Sequence, residues 1–421
     1  MRIRLAFLFV ALVCPGAVSV GEAEEPTREE KLSAAASEHR LRLEFDGEDF
    51  SGPGWDRLVA EGRAAQFFLL GEEHGIAENP MLAAQLFTEL LDHGYSKLVI
   101  EISPTMASVL DDALARGGLD GLRDLYSRPG GEPAFFGMTE EAEMLARVRS
   151  AAPANEAVLW GTDYEVGSDR LLIRLLEDAD KPPAAEAALK VLADASAASW
   201  AEYYRTGSPE FIFSFAGDPA LVRAVREAWP EQDPESAVVL NTLEKTLTIN
   251  NLWVQGRGWE SNQARALHQR ENFLRYWHAE KERGATPRVM ARFGGSHIVR
   301  GRSQTAVYDL GTLLPEIAAL EGGHSFSLMV IPGAESLVAG LNPSTWSYEP
   351  RPAKDSYAKG LEPLMGVAYE DTFTLIDLAA LRPIVGMNRG QLDEELFRMV
   401  HGFDMLLVMS GSTPSGELDH E

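Results

Sequence analysis

The stretch FFLLGEEHGIAENP, residues 67 to 80, sets three carboxylates and a histidine just behind a run of four apolar residues. A histidine beside a carboxylate can take a proton from water, which then attacks an ester or amide carbonyl. Two imidazoles with one or two carboxylates also form a ligand set for zinc, manganese or iron. Either chemistry needs partners from elsewhere in the chain. Glu101 ends the run LVIE, Asp163 follows VLW in GTDYE, and His297 follows RVMARF in GGSHIVRG. The chain holds only nine histidines, so an acid or a histidine after each of four successive apolar runs is informative. Glu72, His74, Glu78, Glu101, Asp163 and His297 are therefore the candidate site residues. As metal ligands the set would be His74, His297, Glu72 and Glu101.

These residues need a scaffold that aims them at one point. From Ala65 onward a short apolar run, a polar loop and an amphipathic helix recur, which predicts an α/β fold: a mostly parallel central sheet flanked by helices. The expected strands cover 67–70, 97–100, 158–160, 288–293, 325–331, 373–376 and 405–409. In such a sheet ligands bind outside the carboxyl ends of the strands, where all the candidate residues fall. Asn79-Pro80 and Ser103-Pro104 read as an N-cap followed by proline at the first helical position, and Gly94 and Gly117 as helix stops. Between about 168 and 286 the pattern is helical almost throughout, which predicts a large helical insertion or cap on the sheet. Within it Leu267, Arg270, Leu274 and Trp277 share one stripe. A buried arginine there needs an anion, either a site carboxylate or a substrate group. His268 and His278 read as packing or surface residues.

Composition narrows the function. The 64 acidic residues against 38 basic ones give a formal charge of -26, which disfavours nucleic acid and anionic lipid as partners. Residues 1–23 read as a signal peptide, with Arg2 and Arg4 before the apolar run Leu5 to Val13 and small residues near Ala23. The expectation is an exported protein, periplasmic or secreted, with no stable membrane insertion. Cys14 is the only cysteine and lacks the small residues that precede a lipidated one, so a lipoprotein is not expected. Cysteine nucleophiles, disulfides and thiolate metal sites drop out together. Residues 24–60 read as a linker or helical lead-in, 61–412 as the α/β domain, 333–366 as a surface excursion and 413–421 as a polar tail. There is no Gly-x-Ser-x-Gly elbow, no His-Glu-x-x-His and no phosphate-binding glycine loop.

Gly71-Glu72-x-His74-Gly75-x-x-Glu78, Glu101 at a strand end, Gly161-x-Asp163, Arg270-Glu271-Asn272, Gly-x-x-His297 after a strand and the closing GFDMLLVM follow one another over roughly residues 60 to 410. In these motifs and their order the chain resembles the erythromycin esterase family. The resemblance implies an α/β fold with a helical cap and hydrolysis of a small-molecule ester, lactone or amide without a covalent intermediate. It also implies His74 as general base, Glu72 and Glu78 beside it, His297 as second histidine and Arg270 as cleft arginine. Of the two adjacent acids it selects Glu72 and leaves Glu73 as solvated. One spacing departs: the esterases place an additional residue between the glutamate and the histidine. The shorter form is similar to that of haem-binding lipoproteins and Tiki-type metalloproteases, which implies bound haem or a divalent metal as the alternative.

Overall fold

Phe67–Glu72 is buried at all six positions, as a strand must be when other strands flank it and helices cover both faces. In the computed structural model, which describes residues 25–154, 156–353, 360–386 and 392–419, it is the third strand of the chain. The strands are β1 (Arg40–Phe45), β2 (Phe50–Ser51), β3 (Phe67–Glu72), β4 (Tyr95–Ile100), β5 (Leu159–Gly161), β6 (Arg288–Gly294), β7 (Ser325–Pro332), β8 (Leu337–Asn342), β9 (Ser347–Pro352), β10 (Phe373–Asp377) and β11 (Met405–Met409). Nine form one sheet in the order β2-β1-β10-β11-β7-β3-β6-β4-β5, and β8 pairs with β9 in a separate hairpin. The block from β11 to β5 is parallel, while β10, β1 and β2 continue it antiparallel. The predicted α/β class holds.

Alternation along β3 divides the core. Phe68 and Leu70 join a cluster with Leu98, Ile100 and Met290. Phe67 and Leu69 face the opposite side with Val99, Val289 and Phe293. Successive side chains of a strand point to opposite faces, so a strand buried on both sides reads as an unbroken apolar run. All seven predicted strands are present, extended by a few residues at most.

Between 168 and 286 the chain is helical, with main helices Asp169–Asp178, Pro183–Thr206, Pro219–Ala228, Pro234–Val254 and Gly258–Glu282. The last of these lays Phe273 and Trp277 against Phe67 of the sheet. Ser103 caps the helix Pro104–Tyr126 as expected, its hydroxyl accepting from Met106 N–H. Gly117 does not end that helix; the chain breaks at Gly118, at φ 57°, and resumes. The helix after β3 starts at Glu78, not after Asn79, because Asn79 is drawn into a buried contact with Glu72.

Other segments are more ordered than their composition suggests. Residues 24–60 supply the helix Arg28–Glu38, opened by a capping box at Thr27, and then β1 and β2. The 333–366 excursion contains the β8–β9 hairpin. The segment from 413 is packed too: Pro414 bridges Ile76, Glu417 bridges Met138, and Leu418 is buried. The expected signal peptide, with Cys14, lies outside the described residues. No helix among those described is long and apolar enough to cross a membrane.

Candidate active site

Four parallel strands deliver side chains to one cavity of about 360 Å³, within the range for small-molecule sites. Glu72 is the last residue of β3, and His74 follows it. Glu101 comes directly after β4, Asp163 two residues after β5, and His297 three after β6. All five line the cavity, at the carboxyl end of the sheet.

Two glycines make the approach close enough. Gly75, at φ 87°, turns the chain after His74; a Cβ there would lie 1.9 Å from the Ala339 carbonyl oxygen. Gly294 N–H donates to Glu101 Oε2 at 2.7 Å, and a Cβ on Gly294 would lie 3.2 Å from His74 Nε2.

Glu101 is the hub. His74 Nε2 stands 3.7 Å from its Oε2, His297 Nε2 3.4 Å from its Oε1, and Arg265 Nη2 donates to Oε1 at 2.6 Å. Arg265 also grips Asp163, with Nε at 3.0 Å and Nη2 at 2.5 Å, and Gln269 donates to the same carboxylate at 2.9 Å. His297 Nδ1 lies 2.7 Å from Asp309, which caps the helix Leu310–Leu320. Behind His74 is a second cluster. Glu72 Oε1 lies 3.1 Å from His74 Nδ1, while its Oε2 accepts from Arg292 at 2.5 Å and from Asn79. Arg292 is held in turn by both oxygens of Glu141 at 2.6 Å.

This surrounding charge sets the protonation states. Burial opposes a charge on His74, but the hydrogen bond and charge of Glu72, with the charge of Glu101, outweigh it and raise the imidazole to about 9. For Glu101, burial is again overcome, by His297, Arg265 and His74, and the carboxyl falls to about 2. His297 is also raised: burial and Arg265 work against its charge, Glu101 and Asp309 for it. The His74 imidazole thus carries its second proton at neutral pH. Glu73 moves the other way, pushed up to about 7 by burial against the weaker pull of His74 and Arg351.

Three sequence expectations need correction. Glu78 does not line the cavity; its carboxylate accepts from the backbone N–H and hydroxyl of Thr413 at 2.9 to 3.1 Å and ties down the C-terminal segment. Arg270 is not a cleft arginine. The face of its helix that packs inward carries Ala266, Gln269, Phe273 and Trp277, whereas Leu267 is 46% exposed. Arg265 lies five residues earlier, about 140° around the helix at 3.6 residues per turn, and fills the place expected of Arg270. Glu73 lines the cavity instead of standing in solvent. His268 does pack internally, against Asn272, and His278 is exposed.

Arg265, Arg292, Glu141, Asp309 and Phe135 were not anticipated. Arg292 had a readable signal, a charge inside the apolar strand VMARF that a buried parallel strand cannot hold without a partner. Phe135 had none: it stacks on the His74 ring at 4.5 Å from a left-handed backbone with φ 67°, which only the folded loop reveals.

The residues do not fit a divalent metal. Of the acids that would have to serve as ligands, Glu101 and Asp163 are already neutralised by Arg265 and Glu72 by Arg292. Among the described residues no three histidines or acids gather as a metal cluster.

No family model and no curated protein matches the chain. Solved structures do. A Bacillus cereus protein aligns over 94% of this chain and all of its own with a TM-score of 0.57 at 14% identity. A succinoglycan biosynthesis protein aligns over 93% of this chain and 99% of its own, with a TM-score of 0.57 at 14% identity. A mutant erythromycin esterase in its open conformation aligns over 90% of this chain and 99% of its own, with a TM-score of 0.53 at 15% identity. This is an erythromycin esterase-like fold. At such identities the likeness is one of architecture, and the chemistry has to be argued from the cavity.

Proposed function

We propose that the chain is an exported hydrolase that cleaves an ester, lactone or amide by attack of water, without a covalent intermediate on the protein. The observation that carries this reading is the pair of imidazoles directed at one carboxylate, with a guanidinium beside them, inside a cavity of ligand size. His74 takes the proton of the attacking water from its neutral form, oriented by Glu72 through Nδ1. Arg265 uses Nε and Nη2 on Asp163 and Glu101, which leaves Nη1 to meet a developing oxyanion. His297, held by Asp309 through Nδ1, supplies a second donor from Nε2 in its protonated form.

Since Glu72 and Glu101 hold the His74 proton up to about pH 9, the base form grows as pH rises and kcat/KM climbs toward that value. The deciding experiment is a screen of aryl esters, lactones and anilides with and without chelator, on the wild type and His74→Ala. Hydrolysis insensitive to chelator and reduced at least ~10²-fold in a folded His74→Ala protein is expected. Activity that survives the substitution would sink the reading.

A further inference from the structure

Six carboxyl groups line the cavity, against two guanidinium groups and two imidazoles. Every one of those cations is engaged. Arg265 is paired with Glu101 and Asp163, Arg398 with Glu394 and Glu395, His74 with Glu72 and Glu101, and His297 with Asp309 and Glu101. Five of the carboxyl groups hold donors in return: besides Glu72, Glu101 and Asp163, Glu165 accepts from Ser103 N–H and Glu395 from Gln304 and Arg398. Glu73 is the exception. Among the described residues its carboxylate has neither a hydrogen bond nor an ion pair, and Arg351 on β9, the cation that acts on it across space, does not line the cavity.

A half-buried carboxyl without a partner is a destabilising arrangement that a bound cation would relieve. The same cavity is lined by the rings of Phe135 and Tyr164, one face of each already taken by His74 and Arg265, and by the apolar side chains of Met329, Met399 and Phe403. An anionic ligand would meet only cations whose charge carboxylates already balance, within the field of a chain with a formal charge of -26.

We infer that the cavity selects a ligand carrying an alkylammonium group, whose charge pairs with Glu73 while its apolar part lies against the methionine and phenylalanine wall. The inference rests on the cavity being the substrate site proposed above, and it narrows the substrate class to esters, lactones or amides that bear an amine.

Three probes of similar size test it: benzyltrimethylammonium, benzyl alcohol and benzoate, titrated calorimetrically at about pH 8, where Glu73 is ionised. The ammonium should bind at least about tenfold more tightly than the alcohol, and benzoate should not bind. In Glu73→Gln, with its melting temperature checked, the ammonium should fall to the affinity of the alcohol while the alcohol is unchanged. Benzoate binding as well as the ammonium, no binding of any probe, or an ammonium preference that survives Glu73→Gln overturns the inference. The comparison of probes on the wild type decides the charge preference even if the variant does not fold. Ammonium selectivity without hydrolysis in the screen would remove the hydrolase and keep this ligand class; hydrolysis of neutral esters without ammonium selectivity would do the reverse.

Discussion

Two clusters on either side of His74 use the same device, an arginine between two carboxylates, in different surroundings. Arg292 bonds Glu72 and Glu141 with all three side chains at most 4% exposed. Arg265 bonds Glu101 and Asp163 on the cavity wall, where its own side chain is 24% exposed and reachable by ligand and water. The first cluster cannot exchange its partners without exposing a buried charge, so it acts as scaffold. The second can reorganise when charge develops in the cavity, so it can take part in chemistry. The contrast teaches that burial, not residue type, separates the supporting arginine from the working one.

The largest expected effect comes from breaking the scaffold. Arg292→Ala leaves Glu72 and Glu141 buried without their cation and should cost about 3–5 kcal/mol, read as a lowered urea midpoint. Arg265→Ala should cost about 1–3 kcal/mol, because cavity water can reach the acids it abandons, yet it should lower kcat strongly. Added guanidinium sharpens the comparison: it should restore part of the activity of Arg265→Ala, whose vacated place opens on the cavity, and none of that of Arg292→Ala. If both respond alike, the distinction by burial fails.

Stability should also follow pH on both sides. His74 in the folded state, at about 9, lies above its ordinary value near 6.5, so its contribution is complete below about pH 6.5 and is lost as pH rises through about 9. Glu101, lowered to about 2, contributes fully above about pH 4.3 and loses that contribution as pH falls toward 2. Denaturation midpoints across pH should thus decline at both ends, and His74→Gln should flatten the alkaline side. Alkaline activity and alkaline stability then oppose each other through one imidazole. The smallest effects are expected outside the cavity. Glu78→Ala should cost about 1 kcal/mol and speed proteolysis near Thr413 with kcat unchanged, and Arg270→Ala should stay within about 0.5 kcal/mol and leave activity intact.

Much of the parallel sheet was legible because a strand covered on both faces must be apolar throughout. β1 was missed because Arg40-Leu-Arg-Leu-Glu-Phe45 alternates charge with apolar residues; in the fold Arg40 and Arg42 lie over the Tyr369 ring, Arg42 pairs with Asp371 and Arg40 donates to the Val367 carbonyl. The motif residues Glu72, His74, Glu101, Asp163 and His297 were readable for a positional reason: each ends or follows a strand, and parallel strands in one sheet end on one side. Glu78 has the same sequence signature, but the helix begins with it and turns its carboxylate to Thr413.

By itself the sequence determined the strand runs, the end of the sheet where polar groups collect and five of the residues that meet there, since those depend on local pattern and on one rule of parallel sheets. Only the tertiary structure decided which arginine faces the cavity, which acid is a tail anchor and which is left unpaired. Those outcomes hang on the rotation of the helix Gly258–Glu282 about its axis and on contacts between residues up to 335 positions apart, and no local spacing encodes them.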